Sequence, residues 1–307
     1  MAMYMVTVEN LVKNYKKVEA VKNISFSVNK GEIFGLIGPD GAGKTSIFRM
    51  LASLIIPDSG KITLNDFDPV NQYENVRECI GYMPGKFSLY QDLSVEENLS
   101  FFASMFSTTI EANYDLIKDI YVQIEPFKDR RAGALSGGMK QKLALCCALI
   151  HKPVVLLLDE PTTGVDPVSR KEFWHMLKKL KEKDITIIVS TPYMDEAESC
   201  DRVALVQDGE ILKIDSPESI ANDYENKLLW IKAKDMFKLL NTLRSIPEVI
   251  SAYSFGEHVH VTIAKDKQLS EALINELSDI EGLEILPGKP TIEDSFMALG
   301  KEESNGK

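Results

Sequence analysis

Nine consecutive residues, Gly38 to Ser46, combine glycines with a lysine and hydroxyl side chains, and these residue types are suited to holding phosphate groups. They read GPDGAGKTS and fit the pattern G-x-x-x-x-G-K-[ST]. Glycines let the backbone approach phosphates closely, amides at a helix start donate to them, Lys44 can reach the outer phosphates, and the Thr45 hydroxyl can bind Mg²⁺. Asp40 either points to solvent or weakens such a site. The predicted binding residues are Gly38, Pro39, Asp40, Gly41, Ala42, Gly43, Lys44, Thr45 and Ser46.

Two carboxylates follow a second apolar run, in the stretch VVLLLDEP that ends at Pro161. We expect Asp159, at the strand end, to hold Mg²⁺ through water opposite Thr45. Glu160 is then placed to polarise an attacking water, which makes it the predicted catalytic residue. Together with the phosphate loop, this pair predicts nucleotide hydrolysis chemistry.

Short apolar strands must position both motifs. The runs GEIFGLIG, VVLLLD, ITIIVST and RVALVQDGEIL alternate with helical patterns, which predicts an α/β fold with a mixed, largely parallel sheet and helices on its faces. Residues 84–151 are mostly helical in pattern and are interpreted as a helical subdomain inserted into this first domain, which spans residues 1–225.

The remaining residues, 226–307, predict a small α+β domain. The order is a strand in KLLWIKAK, a helix in MFKLLNTLRS, strands within VISAYSFGEHVHVTIA, a helix in LSEALINELS and a strand near LEILP. The tail GKEESNGK is polar and is expected to fray.

Composition restricts the partners. The 307 residues include 35 basic and 46 acidic side chains, and the net charge of -11 opposes extended contact with nucleic acid or anionic lipid. No apolar run is long enough to cross a bilayer, and the first residues lack the pattern of a signal peptide, so we expect a cytoplasmic protein. The four cysteines have no metal-ligand spacing and are interpreted as reduced packing residues.

A third motif resembles one family. The stretch LSGGMKQKLALCCAL, followed by LLLDEPTTGVDP, resembles the signature and acidic strand of the ABC ATPases, and the resemblance covers about residues 4–223. It implies the P-loop NTPase fold of ABC type, with ATP and Mg²⁺ as ligands. Ser136, Gly137 and Gly138 form a helix start suited to phosphate. In that family two domains pair head to tail, so this signature would close on the γ-phosphate held by a partner's loop.

The same resemblance assigns two further residues. Asp166, in GVDP, matches the acidic residue of the loop that reaches across the dimer, and Tyr15 matches the aromatic residue that stacks on adenine. Near the end of the chain, GKPTIEDSFMAL is similar to the last helical motif of ATPase subunits of the drug-exporter and antibiotic self-resistance type. An ordinary capped amphipathic helix is the alternative interpretation of that stretch.

The chain departs from the family at two positions. The family has a histidine after the strand IIVST and a glutamine after GYMP, and both contact the γ-phosphate region; this chain has Pro192 and Gly85 there. Losing one preorganised donor lowers turnover by about a hundred- to a thousandfold, and two losses at one phosphate need not multiply. We therefore predict that the chain binds Mg-ATP but hydrolyses it poorly at its own site.

Three functions follow from these patterns. The favoured one is the ATP-binding subunit of an ABC exporter, peripheral on the inner face of the membrane through a membrane-spanning subunit, and paired with a second ABC ATPase as the degenerate half of a heterodimer. The second is an ordinary homodimeric exporter ATPase in which waters or neighbours such as Lys86 or Tyr193 replace the missing groups. The third is a soluble ABC protein acting on ribosomes or DNA, whose usual tandem domains or basic linkers are absent from this sequence.

Overall fold

The structure is a computed structural model that describes residues 4–265 and 280–305. The chain divides into two compact units, residues 1–217 and residues 218–307. Among the residues described, no helix is long and apolar enough to span a membrane.

An antiparallel sheet of three strands begins the first unit. Its strands are β1 (Tyr4–Tyr15), β2 (Val18–Asn29) and β4 (Ser59–Leu64), in the order β2-β1-β4. In β2 the apolar residues Ile24, Phe26 and Val28 are buried and alternate with more exposed neighbours, which is the period of a strand with one covered face. The β1-β2 hairpin turns at Lys16, whose φ is 52°.

A second sheet has six strands in the order β5-β6-β7-β3-β8-β9. All pairs are parallel except the last, in which β9 returns antiparallel beside β8. The predicted α/β class with a mixed, largely parallel sheet is confirmed. The strands are β3 (Ile33–Ile37), β5 (Ile80–Met83), β6 (Val155–Asp159), β7 (Thr186–Thr191), β8 (Arg202–Gln207) and β9 (Glu210–Asp215).

The central strands β3, β6 and β7 are buried along their whole length, which explains their continuous apolar sequences. Their register places Asp159 beside Ser190, and Ile37 beside Thr191. The residues that follow β3, β6 and β7 therefore meet at one edge of the sheet.

One buried cluster joins the two sheets through the first helix. It contains residues of the three-stranded sheet, of α1 and of one face of the six-stranded sheet. Phe26 stacks on Phe34 across the two sheets, with ring centroids 5.5 Å apart. The α-helices of this unit are α1 (Lys44–Leu51), α2 (Tyr73–Cys79), α3 (Val95–Met105), α4 (Tyr114–Tyr121), α5 (Gly137–Leu149) and α6 (Pro167–Lys181).

Helices and turns occupy residues 84–151. Helix α3 begins with a capping box in which the Ser94 and Glu97 side chains each bond the other residue's backbone amide. Helix α5 packs against both α3 and α4. Three short 3₁₀ turns, Glu111–Asn113, Glu125–Phe127 and Ala132–Ala134, complete this region.

The second unit contains an antiparallel sheet of four strands in the order β11-β12-β10-β13. Helix α7 (Pro217–Asn222) begins at the division between the units. The sequence-predicted helix at 269–278 lies outside the described residues. The other elements are β10 (Lys227–Lys232), α8 (Met236–Ser245), β11 (Val249–Phe255), β12 (His258–Ile263), β13 (Glu284–Pro287) and α9 (Ile292–Asn305).

A buried carboxylate anchors the last helix of this unit. Asp294 Oδ1 lies 2.8 Å from His260 Nδ1 and also accepts from the Tyr253 hydroxyl, while Asp294 Oδ2 accepts from the Thr291 hydroxyl at 2.6 Å. Burial by itself would raise the pKa of Asp294, but the hydrogen bonds from Thr291, Tyr253 and His260 outweigh it and hold that pKa below its usual value. The TIED stretch is thus both a helix start and an attachment to the sheet.

All four cysteines are free thiols. Cys146, Cys147 and Cys200 are buried, and Cys79 is partly buried. Burial raises the pKa of each thiol, because desolvation disfavours the thiolate.

Candidate functional site

Two glycines of the loop between β3 and α1, Gly38 and Gly43, have no room for a side chain. A Cβ atom at Gly38 would lie 2.0 Å from the carbonyl oxygen of Val206, and one at Gly43 would lie 2.2 Å from that of Ala20. Gly43 also has φ of 99°, a value that side chains disfavour. The loop is thereby held against β8 and β2, while Asp40 within it is exposed to solvent.

Lys44 opens α1 with its ammonium folded into the loop. Its Nζ donates to the carbonyl oxygens of Gly38 at 2.8 Å and Pro39 at 3.0 Å, and lies 3.4 Å from Oε1 of Glu160. The side chain is only 3% exposed. A buried cation at a helix start is an arrangement suited to phosphate groups.

Thr45 and Asp159 meet across the end of the sheet. The Thr45 hydroxyl lies 3.3 Å from Asp159 Oδ1. Two oxygen ligands about 2.1 Å from one octahedral Mg²⁺ are separated by about 3 Å, so this pair is close enough to serve one ion, with Asp159 bound either directly or through a water molecule. In the described part of the chain no group of three His, Cys, Asp or Glu side chains could hold a metal. A Mg²⁺ ion here would therefore need phosphate oxygens and water as its other ligands, as it commonly does.

Ser190, at the end of β7, fixes Asp159 in place. Its hydroxyl donates to Asp159 Oδ1 at 2.6 Å and accepts from the Glu160 amide at 2.9 Å. Ser190 is fully buried and Asp159 is 2% exposed. This residue was missed as a site residue, and the only signal in the sequence was a polar pair at the end of an apolar run.

Glu160 has an unusual backbone conformation. Its φ is 51°, in the left-handed region that non-glycine residues rarely adopt, and such strain often occurs at functional sites. The amide is held by the Ser190 hydroxyl and by the Ser190 carbonyl at 3.1 Å. Its carboxylate lies between Lys44 and the Thr163 hydroxyl, which is 3.4 Å from Oε2.

Gly85 lies directly against Asp159. A Cβ atom at position 85 would be 3.1 Å from the Asp159 carbonyl oxygen and 3.8 Å from Asp159 Oδ2. A side chain at this position would therefore start beside the carboxylate, and glycine supplies none. Gln91 packs instead against Gly133, whose amide donates to its carbonyl oxygen at 2.9 Å.

The neighbours of Pro192 have partners of their own. The Thr191 carbonyl oxygen accepts from the Gly38 amide at 3.2 Å. Tyr193 donates its amide to the Thr191 hydroxyl at 3.1 Å, and its ring lies 4.5 Å from the guanidinium carbon of Arg170. Lys86 is exposed.

The signature residues form a second cluster with Asp166. Ser136 caps α5, with its hydroxyl 3.4 Å from the Met139 amide, and a Cβ atom at Gly138 would lie 2.8 Å from the Ser169 hydroxyl. Asp166 caps α6 by accepting from the Ser169 amide at 2.9 Å. That backbone hydrogen bond is the main cause of a lowered pKa at Asp166. A Cβ atom at Gly137 would lie 3.6 Å from the Gly164 carbonyl oxygen.

Tyr15 lies at the β1-β2 hairpin, paired with Val18 and 41% exposed. Lys13 Nζ lies 5.7 Å from its ring centroid. The same hairpin reaches the phosphate loop through Ala20, which packs on Gly43. The exposed part of the Tyr15 ring could stack on a planar group such as adenine, but no contact around the ring points specifically to such a ligand.

An apolar cavity of about 240 Å³ opens beside Gly85. It lies between β5, the segment after it, and helices α3 and α5. Most of its lining is aliphatic or aromatic, and the polar exceptions are Arg77, Ser88, Gln141 and His151. His151 closes one side, stacked on Phe106 at 3.8 Å.

Comparison with known sequences gives consistent results. A family profile described as ABC transporter matches residues 21–163. The chain is 38% identical over 300 residues to the probable multidrug ABC transporter ATP-binding protein YbhF of Escherichia coli K12. This match covers 96% of this chain but 52% of that protein, so the chain spans about half the length of YbhF. It is 35% identical over 296 residues to the Nod factor export ATP-binding protein I of Rhizobium sp. N33, covering 95% of both. It is 32% identical to the linearmycin resistance ATP-binding protein LnrL of Bacillus subtilis 168, covering 96% of this chain and 98% of that protein.

Solved structures resemble the fold. The chain is similar to cbiO1 of Clostridium perfringens, part of the ABC transporter complex cbiONQ, with 28% identity and a TM-score of 0.64 over 72% of this chain and 91% of that one. It is also similar to the dimeric ATP-binding cassette MJ0796 in a post-hydrolysis state bound to ADP and Pi, with 25% identity and a TM-score of 0.63 over 69% of this chain and 98% of that one.

Proposed function

The chain belongs to the family of ABC transporter ATP-binding proteins, and on that premise we propose that it binds Mg-ATP between two ATPase domains to drive a separate membrane-spanning subunit. The observation that carries this proposal is the meeting of Lys44, Thr45 and Asp159 at one sheet edge. Together they supply a cation for the phosphates and two oxygen ligands for Mg²⁺.

Export is the proposed direction of transport. Relatives that match nearly the whole chain are named for Nod factor export and linearmycin resistance. The substrate would be selected by the membrane subunit. Because relatives are recognised by their ATP-binding part, these names support the class of transporter and not a particular compound.

The apolar cavity beside Gly85 supports a membrane subunit as the partner. An opening of about 240 Å³ with an aromatic and aliphatic lining can receive apolar side chains of a helix from another protein. Through such a contact the chain would lie on the inner face of the membrane. A contact there would also reach the end of β5 and the segment next to Asp159.

Each site residue has a defined task in this proposal. Mg²⁺, when bound, would neutralise phosphate charge and would be held by Thr45 and Asp159. Lys44 would turn from the carbonyl oxygens of its own loop to the outer phosphates. Glu160, freed from Lys44, would then orient water as a general base.

Hydrolysis at this site is proposed to be slow. Gly85 and Pro192 supply no polar side chain where the family has glutamine and histidine, and Tyr193, one proposed substitute, is already packed on Arg170. A missing donor costs about a hundred- to a thousandfold in turnover. Binding would suffer less, because Lys44, Thr45 and Asp159 are all in place.

A second, complete ATPase is the proposed partner of this chain. The signature cluster of this chain, Ser136 to Gly138 with Asp166, is intact and would complete the partner's site. The neighbour MJ0796 is dimeric, which supports pairing, and a heterodimer explains why one site could lose its phosphate contacts. A homodimer is the alternative.

Steady-state hydrolysis tests this proposal. We would compare the purified chain with the double variant Gly85→Gln, Pro192→His, and with the same variant carrying Glu160→Gln. The expected result is a nearly silent natural chain, a gain of about a hundred- to a thousandfold in the double variant, and loss of that gain with Glu160→Gln. A natural chain that turns over at about 1 per second or faster would contradict slow hydrolysis and favour the homodimer.

A further inference from the structure

A buried carboxylate connects the loops that follow β6 and β7. Glu196 lies in the 3₁₀ segment Met194–Ser199 and is only 4% exposed. Its Oε2 accepts from the Thr191 hydroxyl at 2.6 Å and from the Thr162 hydroxyl at 3.0 Å. Both threonines are buried, at 0% and 1% exposure. One oxygen therefore binds two chain segments that lie far apart in sequence.

Arg170 adds a third segment to this connection. Its guanidinium lies 3.8 Å from Oε1 of Glu196 and 4.5 Å from the Tyr193 ring centroid. Arg170 belongs to the first turns of α6, the helix that Asp166 caps. Oε1 of Glu196 has no hydrogen bond among the described residues, and the Arg170 guanidinium is its charged partner.

The connected segments carry different parts of the proposed site. Thr162 follows Glu160 by two residues and is the first residue of the loop of residues 162–166. Thr191 ends β7, next to Ser190, which holds Asp159. The residue after it is Pro192, whose fixed φ stiffens the chain at that point. A movement at the end of β7 would therefore reach Thr162 through the shared Glu196 oxygen.

We propose that Glu196 is a positioning residue that keeps the loop of residues 162–166 aligned with the end of β7, so that nucleotide binding beside Asp159 sets the position of Asp166. The alignment itself needs only the hydrogen bonds described above. The second part, in which the placement of Asp166 responds to nucleotide, rests on the proposed function. Only an acceptor oxygen at this position can bind both hydroxyls.

Hydrogen exchange of the full chain tests the alignment without any ligand. The reporters are the amides of Thr163 and Val165, which bond the carbonyl oxygens of Glu160 and Thr162. Thr191→Val removes one hydroxyl at constant shape and is expected to speed exchange of these amides about threefold or more. Thr186→Val is the matched control, because Thr186 is fully buried on the same strand but its hydroxyl accepts from the Gly31 amide. It should leave the reporters unchanged.

Variants of Glu196 complete the test. Glu196→Gln keeps an acceptor oxygen and should retain exchange close to that of the natural chain. Glu196→Ala removes the hydrogen bonds of both threonines, so it should speed reporter exchange at least as much as Thr191→Val. Adding Thr191→Val to Glu196→Ala should have no further effect on the reporters. Equal effects of Thr191→Val and Thr186→Val, or no effect of either on the reporters, would overturn the proposal.

Mg-ATP titration separates this inference from the proposed function. On adding Mg-ATP, the natural chain and Glu196→Gln should show slower exchange of the reporter amides. Glu196→Ala should show no such slowing, although its dissociation constant for ATP should change less than about threefold. Slowing of the same size in Glu196→Ala would refute the transmission. A natural chain that does not bind Mg-ATP at all would refute the proposed function, while the comparison without ligand would still decide the alignment.

Discussion

Replacing Ser190 by alanine should weaken both the fold and the proposed Mg²⁺ site. The Ser190 hydroxyl donates to Asp159 Oδ1 at 2.6 Å, and a hydrogen bond to a charged group contributes about 1.5–3 kcal/mol. The Glu160 amide would keep its bond to the Ser190 carbonyl at 3.1 Å, so no additional unpaired donor is created. We therefore expect Ser190→Ala to lower the free energy of unfolding of the first unit by about 2 kcal/mol.

Thermal unfolding and Mg²⁺ titration measure the two consequences. For a unit of this size, about 2 kcal/mol corresponds to a fall in melting temperature of roughly 4–8 °C. Asp159 would keep its contact with Thr45 but lose the donor that fixes its orientation. Changes in such supporting bonds typically cost about 10–100-fold in metal affinity, so the Mg²⁺ concentration for half-maximal ATP binding should rise about tenfold or more.

Thr186→Val again provides the control. Thr186 is on the same strand and equally buried, but its hydroxyl contacts a neutral backbone amide, so a loss of about 1 kcal/mol and no change in Mg²⁺ dependence are expected. Equal melting temperatures for the two variants, or an unchanged Mg²⁺ requirement in Ser190→Ala, would refute the reasoning that Ser190 acts through Asp159.

Three further predictions concern other positions. Lys44→Met should weaken Mg-ATP binding at least about a hundredfold by calorimetry, because the buried ammonium is the cation nearest the loop carbonyls; binding within tenfold of the natural chain would contradict its role. Asp294→Asn should speed hydrogen exchange in the second unit at pH 7. The folded pKa of Asp294 lies below its usual 3.8, so the stabilisation by its carboxylate is present above pH 3.8 and is lost as the pH falls through the folded pKa. The natural chain and Asp294→Asn should therefore converge in exchange rate at that low pH, and a difference that persists at the lowest pH would count against this. Asp166→Ser should keep the cap of α6 and leave the melting temperature unchanged but weaken ATP-driven pairing with the partner ATPase, whereas Asp166→Ala should reduce both.

The sequence predicted the parts of the site whose residues are neighbours in the chain. Gly38 to Ser46 and the pair Asp159–Glu160 each follow a buried strand, and local patterns are enough to identify such strands. The chemistry assigned to the residues at their ends stays a prediction. The α/β class followed from the same alternation of strands and helices. The separate antiparallel sheet of β1, β2 and β4 was not predicted, because strand pairing depends on contacts that no local pattern records.

Contacts between distant segments account for the rest. Ser190 acts on Asp159, 31 residues earlier, and Glu196 binds Thr162, 34 residues earlier. A serine at a strand end and a glutamate in a short 3₁₀ turn have no distinctive spacing, so only the folded arrangement identifies them. Likewise, the sequence indicated that Gly85 lacks a side chain, and the structure shows that the missing side chain would have begun beside Asp159.

The burial of the cysteines makes the chain suitable for site-specific spectroscopy. A maleimide dye reacts with a thiolate on an accessible sulfur, and the three buried thiols meet neither condition at neutral pH. Cys79 is the native position to replace first, because it is only partly buried. A single cysteine introduced at exposed Val168, near the start of α6, would then carry a donor fluorophore, and energy transfer to a labelled partner would report the opening and closing of the pair in real time.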